Sequence, residues 1–501
     1  MLLAGVGYYG HRSDWKMPRF ATLAGEVPSV PHDWCEEHGV PESICVECNR
    51  AKFPPEPDYS WCSEHGVHNC PLHHPGAAQV QGVPDVRPDD FARAERAFAV
   101  QERQRNNAAC TYYQRRIQFA SVESVKQAGV DVELVERGRI VESISVGGEI
   151  IYDETQHANL SARAPGTVWR VEKKIGDRVE TGEVLALIDA MAVGEAKATL
   201  MQALAEESLR RQTVERLTSI GTGAIPGRQI VDAKAEYVKA QVSVLSAEQS
   251  LTNLGLPVDI DPLREMPQEQ VQEQLRFLGI PESIQSELDV RTGTSNLLPI
   301  RTPAEGVIID RQIVSGEVVD TSRVLFQVAD TTRMWLTLNV RAEDAGKIRP
   351  GLTVEFVPDG TTEKVAGTLS WISTAADSET RMVRVRADLA NTDGRLRDES
   401  FGSGRIILRE EPEAILVPVA SIHNEGCCQV VFVRDRNWVT SPESPKVFHV
   451  RTVRVGARTS EQAEIIAGVL PGEVVVSKGS DVLRAQLLKN NLGEGCTCGA
   501  D

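Results

Sequence analysis

The sequence predicts a protein built mainly of β-strands, divided into several domains and carrying one long α-helical hairpin. Two segments, residues 162–189 and 300–330, share short apolar alternations with glycine at the turns, which is typical of strands joined by tight turns. Aligning Gly176 with Gly316 also brings the apolar positions of the two segments into register. Neither copy can bury its apolar face alone, so we expect both to close one small sandwich. The residues between them leave it and return as an insertion.

Length and composition indicate an acidic protein of several domains. A chain of 501 residues is too long for one core, and the usual domain size implies about three to five units. The net charge of −17 argues against nucleic acid as a partner, because backbone binding depends on cationic side chains. The sequence contains no Gly-rich phosphate loop, nucleophile elbow or His-Glu-x-x-His motif. We therefore predict that the protein is not an enzyme.

The first 29 residues start with an apolar stretch, Met-Leu-Leu-Ala-Gly-Val-Gly-Tyr-Tyr-Gly. It is shorter than the ~20 residues that a bilayer span requires, and it lacks the basic region of a signal peptide. We interpret it as the remainder of a membrane anchor with Tyr8, Tyr9 and Trp15 at its interfacial edge. A soluble tail is the alternative.

Residues 30–76 contain a second repeat, in which Trp-Cys-x-x-His-Gly-Val occurs twice with an offset of 27 residues. Each copy places ligand pairs on short turns, as a tetrahedral zinc site requires. Imidazole with thiolate suits Zn(II), Cd(II), Co(II) or Ni(II), whereas the seven methionines are too dispersed to form a thioether cage. The predicted ligands are Cys35, His38, Cys45 and Cys48 in the first copy, and Cys62, His65, Cys70 and His73 in the second.

These cysteines need not bind a metal. Disulfides would suit an oxidising compartment, and the segment could be a cysteine-bearing linker. A nucleic-acid zinc knuckle normally carries basic residues, whereas glutamates surround these ligands. The odd number of cysteines and the recurring histidine favour a metal, which is either handed over or structural. Of the remaining cysteines, Cys110 stands alone, and Cys427-Cys428 and Cys496-Thr-Cys498 are weaker candidates.

Residues 190–255 predict an antiparallel coiled-coil hairpin, broken at residues 221–227. Each arm has about 30 residues and would reach ~45 Å. Such an arm is a strut or a docking element, with a simple spacer as the alternative. Apolar residues recur at alternating steps of three and four, which is the pattern of a coiled-coil seam. They are Ala196, Leu200, Ala203, Val214 and Leu217 in the first arm, interrupted by Glu207 and Arg210, and Ile230, Ala233, Tyr237, Ala240, Val244, Ala247, Leu251 and Leu254 in the second.

The segments 162–189 and 300–330 resemble the half-motif of biotinyl and lipoyl domains. Each begins with a proline followed closely by glycine and valine, and has a later Gly-x-x-Val. A carrier domain of that family presents a modifiable lysine between its halves. The junction here is Asp189-Ala-Met-Ala192, so we expect neither lipoate nor biotin. A split lipoyl-like domain with a long insertion resembles the HlyD-like periplasmic adaptors (membrane fusion proteins) of tripartite efflux pumps. The resemblance covers about residues 132–484.

The resemblance implies an elongated protein of several domains. The residues themselves predict three further stretches, namely a linker and short helix at 77–129, a short helical insertion at 256–298 and a C-terminal tail at 491–501. The main domains that the resemblance implies are a β-barrel from 130–161 with 332–410, a split lipoyl-like sandwich from 162–189 with 299–331, and a membrane-proximal β-domain from 411–490.

As to function, the resemblance implies a non-catalytic periplasmic protein anchored at the inner membrane of a Gram-negative-type cell. It would bridge a proton-driven RND transporter of the inner membrane to an outer-membrane channel and self-associate into a ring, by resemblance a hexamer. The Cys/His repeats point to the heavy-metal branch. Arg216-Leu217 and Ala224-Ile225 resemble the hairpin tip that meets the channel, with Pro226 where the family usually has serine. A metal-binding scaffold or metallochaperone, or a lipoyl carrier protein, is the alternative function.

Overall fold

The computed structural model describes residues 33–35, 38–220, 226–286, 295–440 and 444–488. These residues form two units. Unit 1 contains the described residues up to Ile144, then Gly346–Ile348 and those from Ile407 onward, and unit 2 contains those of Ser145–Ala345 and Arg349–Ile406. The predicted anchor at 1–29 and the predicted tail at 491–501 lie outside the described residues. Among the helices of the described ranges, none has both the length and the apolarity needed to cross a bilayer.

The strands are β1 Trp34–Cys35, β2 Val40–Pro41, β3 Trp61–Cys62, β4 Val67–His68, β5 Arg116–Phe119, β6 Asp131–Leu134, β7 Glu136–Tyr152, β8 His157–Ser161, β9 Gly166–Val171, β10 Arg178–Val179, β11 Val184–Asp189, β12 Leu297–Arg301, β13 Gly306–Arg311, β14 Val318–Val319, β15 Val324–Ala329, β16 Arg333–Arg341, β17 Thr353–Pro358, β18 Val365–Ala376, β19 Met382–Ala390, β20 Ser400–Pro418, β21 His423–Asn424, β22 Gln429–Arg434, β23 Lys446–Thr452, β24 Arg454–Arg458, β25 Gln462–Ala467 and β26 Val474–Lys478.

The α-helices are α1 Pro88–Val100, α2 Val122–Gln127, α3 Met191–Ser219, α4 Gly227–Asn253, α5 Ile260–Glu265, α6 Gln268–Arg276, α7 Glu282–Gln285, α8 Ala342–Ala345 and α9 Ser480–Leu487.

Unit 2 contains the predicted sandwich, and both of its sheets mix strands from the two sequence copies. One sheet has the order β10-β13-β15-β8 and the other β12-β11-β9-β14. The equivalent positions Val179 and Val319 are 3% and 2% exposed and belong to one hydrophobic core. Neither copy forms a sheet alone, because the apolar face of each copy is covered by strands of the other. The structure therefore confirms a single sandwich made from two separated segments.

The hairpin leaves this sandwich directly after β11 and consists of α3 and α4. Every predicted seam residue of α4 is buried or half-buried, with Val244 and Leu251 fully inaccessible. Glu207 does interrupt the α3 seam, and it is buried in an ion pair with Arg264 of α5 at 3.1 Å. The heptad prediction is confirmed, and the predicted polar interruption has a charged partner that the heptad pattern does not reveal.

The insertion after the hairpin, for which the sequence suggested no role, packs against the hairpin base. Leu263 of α5 and Leu275 of α6 are in the same core as Leu200 of α3 and Leu251 of α4. The insertion therefore widens the apolar base from which the two long helices project.

A closed barrel completes unit 2. Strands β17, β18, β19, β16, β7 and β20 follow one another, and β17 also pairs with β20. The prediction that all of 130–161 belongs to this barrel is wrong at both ends. Strand β6 pairs with β26 in unit 1, and β8 pairs with β15 in the sandwich. Apolar alternation indicates strands but does not identify their neighbours.

Unit 1 is built on the sheet β5-β23-β22-β26-β6, with β21 beside β22. Strands β5 and β6 come from the N-terminal part of the chain and the others from residues 423–478. The prediction that residues 77–129 are only a linker and a short helix is therefore wrong. The strand β5, Arg-Ile-Gln-Phe, is too short to show a clear alternation by itself.

Candidate metal centres

The first Cys/His set converges on one point, which we call centre 1. The ligand atoms of Cys35, His38, Cys45 and Cys48 all lie within 4.8 Å of one another. The Cys35 sulfur is 3.3 Å from His38 Nδ1, and the Cys48 sulfur is 3.6 Å from both of these atoms. The turn between β1 and β2 shapes this end of the centre. Gly39 adopts φ +69° there, and its N–H donates to the Cys35 carbonyl over 2.8 Å.

The second set, centre 2, repeats this geometry. The ligand atoms of Cys62, His65, Cys70 and His73 again lie within 4.8 Å of one another. The Cys62 sulfur is 3.6 Å from His65 Nδ1 and 3.4 Å from His73 Nδ1, and the Cys70 sulfur is 3.7 Å from His65 Nδ1. Gly66, at φ +64°, donates its N–H to the Cys62 carbonyl over 2.8 Å. The sequence repeat is thus also a repeat of the backbone turn.

The donor atoms suit a tetrahedral cation. Sulfur at about 2.3 Å and nitrogen at about 2.0 Å from a tetrahedral zinc ion stand roughly 3.5–3.8 Å apart. The donor separations given above for the two centres run from 3.3 to 3.7 Å, which is close to that range. Centre 1 supplies three thiols and one imidazole, and centre 2 supplies two of each. The structure brings all eight predicted ligands together in two groups, and their binding of a metal stays a prediction.

One thiol in each centre, Cys48 and Cys70, does not ionise readily by itself. Hydrogen bonds with Cys45 and Cys35 raise the pKa of Cys48 to about 12, and burial raises the pKa of Cys70 to about 12. Burial lowers the pKa of His65, so that its ring is neutral at pH 7. A bound cation stabilises thiolates, and its binding therefore releases protons.

A carboxylate orients one imidazole of centre 2, that of His73, and lies close to the other. Glu64 Oε2 is 3.2 Å from His73 Nε2, and Glu64 Oε1 is 3.9 Å from His65 Nε2. Each ring directs Nδ1 toward the cysteines and Nε2 toward Glu64, the outer partner that ligating imidazoles commonly have. This role of Glu64 was not predicted from the sequence, although both copies of the repeat have a glutamate directly before the histidine. The equivalent residue of the first copy is Glu37, which lies outside the described residues.

Two protein-family models match this chain. Residues 156–330 match the family model of the CzcB-like barrel-sandwich hybrid domain, and residues 333–408 match that of the CusB-like β-barrel domain. The first range contains the sandwich and the hairpin. The second contains the barrel strands β16 to β19 and the first half of β20, whereas β7 lies before both ranges. The chain belongs to the RND membrane fusion proteins. Neither match includes the two Cys/His centres.

Two relatives and one solved structure illustrate this membrane fusion protein's similarity. The cobalt-zinc-cadmium resistance protein CzcB of Cupriavidus metallidurans is 23% identical over 75% of this chain and 64% of its own length. The nickel-cobalt-cadmium resistance protein NccB of Alcaligenes xylosoxydans xylosoxydans is 24% identical over 73% of this chain and 82% of its own. The crystal structure of ZneB from Cupriavidus metallidurans matches 54% of this chain and 99% of that chain, with 21% identity and a TM-score of 0.36.

This membrane fusion protein also has a third cysteine group, which was not predicted from the sequence. Cys110 and Cys428 form a disulfide across a sequence separation of 318, and the Cys427 sulfur is 3.7 Å from the Cys428 sulfur. Both bonded cysteines lie in an apolar core with Trp438 and Phe448. The expectation that Cys110 stands alone is wrong, because only the tertiary fold brings these two chain segments together.

The predicted hairpin tip is only partly described. Arg216 is exposed and Leu217 is half-buried near the end of α3. The other tip candidates, Ala224 and Ile225, lie outside the described residues, as do the C-terminal candidates Cys496 and Cys498.

Proposed function

We propose that this chain is the periplasmic adaptor subunit of a tripartite, proton-driven efflux system that exports heavy-metal cations. The observation that carries the proposal is the split sandwich. Because each sheet uses strands from both sides of the hairpin, the long helices extend from a complete folded base without interrupting its core. The similarity to CzcB and NccB, which are named as cobalt-zinc-cadmium and nickel-cobalt-cadmium resistance proteins, supports divalent cations as the cargo.

The partners follow from the same proposal. The adaptor would be anchored at the inner membrane, contact an RND-type transporter there, reach an outer-membrane channel through its hairpin, and assemble into a ring with other copies. It would not act as an enzyme, and its net charge of −17 disfavours nucleic acid. Centres 1 and 2 would bind Zn(II) or a similar divalent cation. The match to CzcB covers 64% of the length of that protein.

A lipoyl or biotinyl carrier is disfavoured by the local structure at the expected attachment point. Asp189 ends β11 and Met191 begins α3, so the junction is a strand-to-helix transition. The first lysine after it, Lys197, is 3% exposed and donates to the carbonyls of Arg276 and Ser295 over 3.2 and 2.8 Å. A carrier lysine has to be accessible to the enzyme that modifies it.

The hairpin carries a second apolar stripe on α4, on the side opposite the buried seam. Val231, Val238, Val242 and Leu245 are 65%, 55%, 59% and 57% exposed. Together with the exposed Ala235 they follow the alternating steps of three and four that a coiled-coil contact needs. A solvated helix does not require this spacing, so the stripe supports a helical partner.

We infer that the partner of this stripe is the α3 helix of a second copy. The outer face of α3 exposes Ala198, Ala205 and Leu209 at heptad-compatible steps. Small residues there leave room for the larger side chains of a neighbouring α4. A chain that presents one stripe on each helix makes a head-to-tail contact, and such contacts close into rings when the rotation permits.

Charging the α4 stripe should therefore weaken self-association. We expect the variant V238E/L245E to raise the dissociation constant between copies by at least about tenfold, since it places two carboxylates in an apolar contact. Sedimentation velocity over a concentration series measures this change. The control S243E/S246E adds the same charge at exposed positions beside the stripe. Equal self-association of the two variants would show that the stripe does not join copies.

Shortening the hairpin tests the adaptor role itself. We expect deletion of residues 212–233, with a short glycine link, to abolish metal resistance in cells that depend on this protein. The deletion keeps the buried base, including Ala203 and Val244, so the sandwich should still fold. Zinc content of the purified variant should equal that of the wild type. A metal-binding scaffold or metallochaperone would instead confer resistance without the distal hairpin, and that result would contradict the adaptor proposal.

A further inference from the structure

The two metal centres are attached to unit 1 in different ways. The loop of centre 2 is part of an apolar core in which Val67 and Cys70 pack with Ala467 and Leu470. Val67, Ala467 and Leu470 are fully buried, and Cys70 is 1% exposed. Moving the Cys70 ligand away from a bound cation would therefore open this core.

Hydrogen bonds also hold the backbone of centre 2. The N–H of His68 donates to Thr452 Oγ1 over 3.0 Å, and its ring nitrogen Nε2 lies 2.9 Å from the Ala108 carbonyl. The Gly66 carbonyl, in the ligand turn itself, accepts from Asn106 Nδ2 over 2.9 Å. These bonds tie the hairpin between Cys62 and Cys70 to two separate segments of unit 1, one at residues 106–108 and one at Thr452.

Centre 1 has a smaller and mostly polar attachment. Gln118 accepts from the N–H of Val46 over 3.0 Å and donates to the Ile44 carbonyl over 2.8 Å. Arg116 donates to the Val46 carbonyl and to Glu47 Oε1 over 2.9 and 3.0 Å. The apolar cluster of centre 1 contains Cys35, Val40 and Cys45, and outside the loop it touches the half-buried Ala120.

Centre 1 is also easier to approach. Cys48 is exposed. It lies on a turn in which Arg50 is also exposed and Glu47 is half-buried. A cleft of about 560 Å³ is lined by His38 and Cys45 together with Glu47 and Arg50 of this turn. The exposed ligand of centre 2, His73, is held in orientation by Glu64 instead.

From these differences we propose that centre 1 is an exchangeable cation site and centre 2 a permanent structural one. This inference rests on the proposed metal binding and assigns a separate role to each centre. Centre 1 would accept and release thiophilic divalent cations such as Cd(II) and Zn(II), because three of its four donors are sulfur. Centre 2 would hold Zn(II) and thereby fix the ligand loop onto the end of β25 and the turn after it.

Exchange at centre 1 is a ligand substitution. An incoming thiolate, imidazole or carboxylate forms a bond to the cation, the bond to the Cys48 sulfur breaks, and the released thiolate takes up a proton from water. No electrons are transferred. Cys48 can leave because its side chain is already exposed, whereas the buried Cys70 cannot leave without opening the apolar core.

The test is the release of zinc from the intact, full-length chain into an excess of a chromophoric chelator. We expect two equivalents of zinc, of which one is released at least about tenfold faster than the other. Added Cd(II) should displace the fast equivalent first. Equal release of both equivalents would overturn the division of roles while leaving the metal-binding proposal intact. A chain that binds no zinc, with these cysteines in disulfides, would overturn the metal-binding proposal itself.

Matched variants identify which centre is which. C48S should remove the fast equivalent and leave the thermal midpoint of unfolding nearly unchanged, whereas C62S should remove the slow equivalent and lower that midpoint. If C62S does not fold, E64Q provides a milder change, and we expect it to speed the slow release by about 10–100-fold. The proposal is contradicted if C48S lowers the midpoint as much as C62S, or if E64Q speeds the fast release.

Discussion

Replacing Glu464 with alanine is expected to lower the free energy of unfolding of unit 1 by about 3–5 kcal/mol, the usual cost of leaving a buried charge without its partner. Glu464 is fully buried in strand β25. Its Oε1 accepts from Arg93 Nη1 over 3.4 Å and from Arg409 Nη1 over 3.2 Å. Its Oε2 accepts from Arg409 Nη2 and from the N–H of Ala457, the latter over 3.1 Å.

The loss would be large because the guanidinium groups cannot move into solvent. Arg93 is fully inaccessible, and burial lowers its pKa even though the Glu464 charge acts in the opposite direction. Arg93 also donates to the carbonyls of Ile465 and Ile466 over 3.1 and 3.2 Å, which attaches helix α1 to β25. Without Glu464, Arg93 would keep Asp90 as its carboxylate partner at 3.7 Å, and Arg409 would keep Glu142 and Glu411, each at 3.5 Å.

Urea unfolding of the full chain, followed by the fluorescence of Trp438 and the other tryptophans, measures this change. Glu461→Ala is the matched control, since Glu461 is an exposed glutamate directly before the same strand and should change stability by less than about 0.5 kcal/mol. E464Q keeps the shape and one acceptor oxygen, so we expect an intermediate loss. If E464A and E461A unfold at the same urea concentration, the buried ion pairs do not stabilise unit 1.

The pairing of Arg93 with Glu464 could not be predicted from the sequence. Arg93 occurs in a segment that the sequence describes only as a short capped helix, and Glu464 occurs 371 residues later. Nothing in either local pattern signals burial, since charged residues at helical spacing ordinarily face solvent. Their pairing depends on β25 lying beside α1, which is a property of the tertiary fold. The same reason hides the Cys110–Cys428 disulfide and the pairing of β5 with β23.

Several features could be predicted because their cause is local or repeated. The hairpin seam follows from the positions of residues such as Val244 and Leu251, because helix geometry alone places them on one face. The split sandwich follows from the repeat, since two half-units with one apolar face each need each other. The ligand groups follow likewise from paired short-range spacings, Cys35 with His38 and Cys45 with Cys48, which bring donors together within single turns.

Lys197 gives the second large effect, a dependence of stability on pH. Burial lowers the pKa of this lysine from its ordinary value of 10.5 to about 8. Its ammonium group lies between α3 and the end of α6, where the carbonyls of Arg276 and Ser295 accept its hydrogen bonds. Below pH 8 the lysine is protonated in both the folded and the unfolded chain, so it contributes no pH dependence there.

Between pH 8 and 10.5 the folded chain has lost this proton while the unfolded chain still binds it. Stability rises with pH wherever the unfolded state binds more protons, so Lys197 should raise the free energy of unfolding of unit 2 by about 3 kcal/mol across this window. Urea unfolding followed by helical circular dichroism, which α3 and α4 dominate, measures it. The quantity to compare is the difference between the wild type and K197M, because other groups that titrate in this range contribute equally to both.

The matched control is Lys234→Met, which removes an exposed lysine from α4 of the same hairpin and should leave the pH profile of the wild type unchanged. A flat difference between wild type and K197M from pH 8 to 10.5 would mean that Lys197 reaches water, and hence that the insertion does not cover α3. The expected rise would mean the opposite. Helices α5 and α6 would then be a fixed part of the base that resists bending of the hairpin, because a hinge at that position would expose the lysine and restore its ordinary pKa.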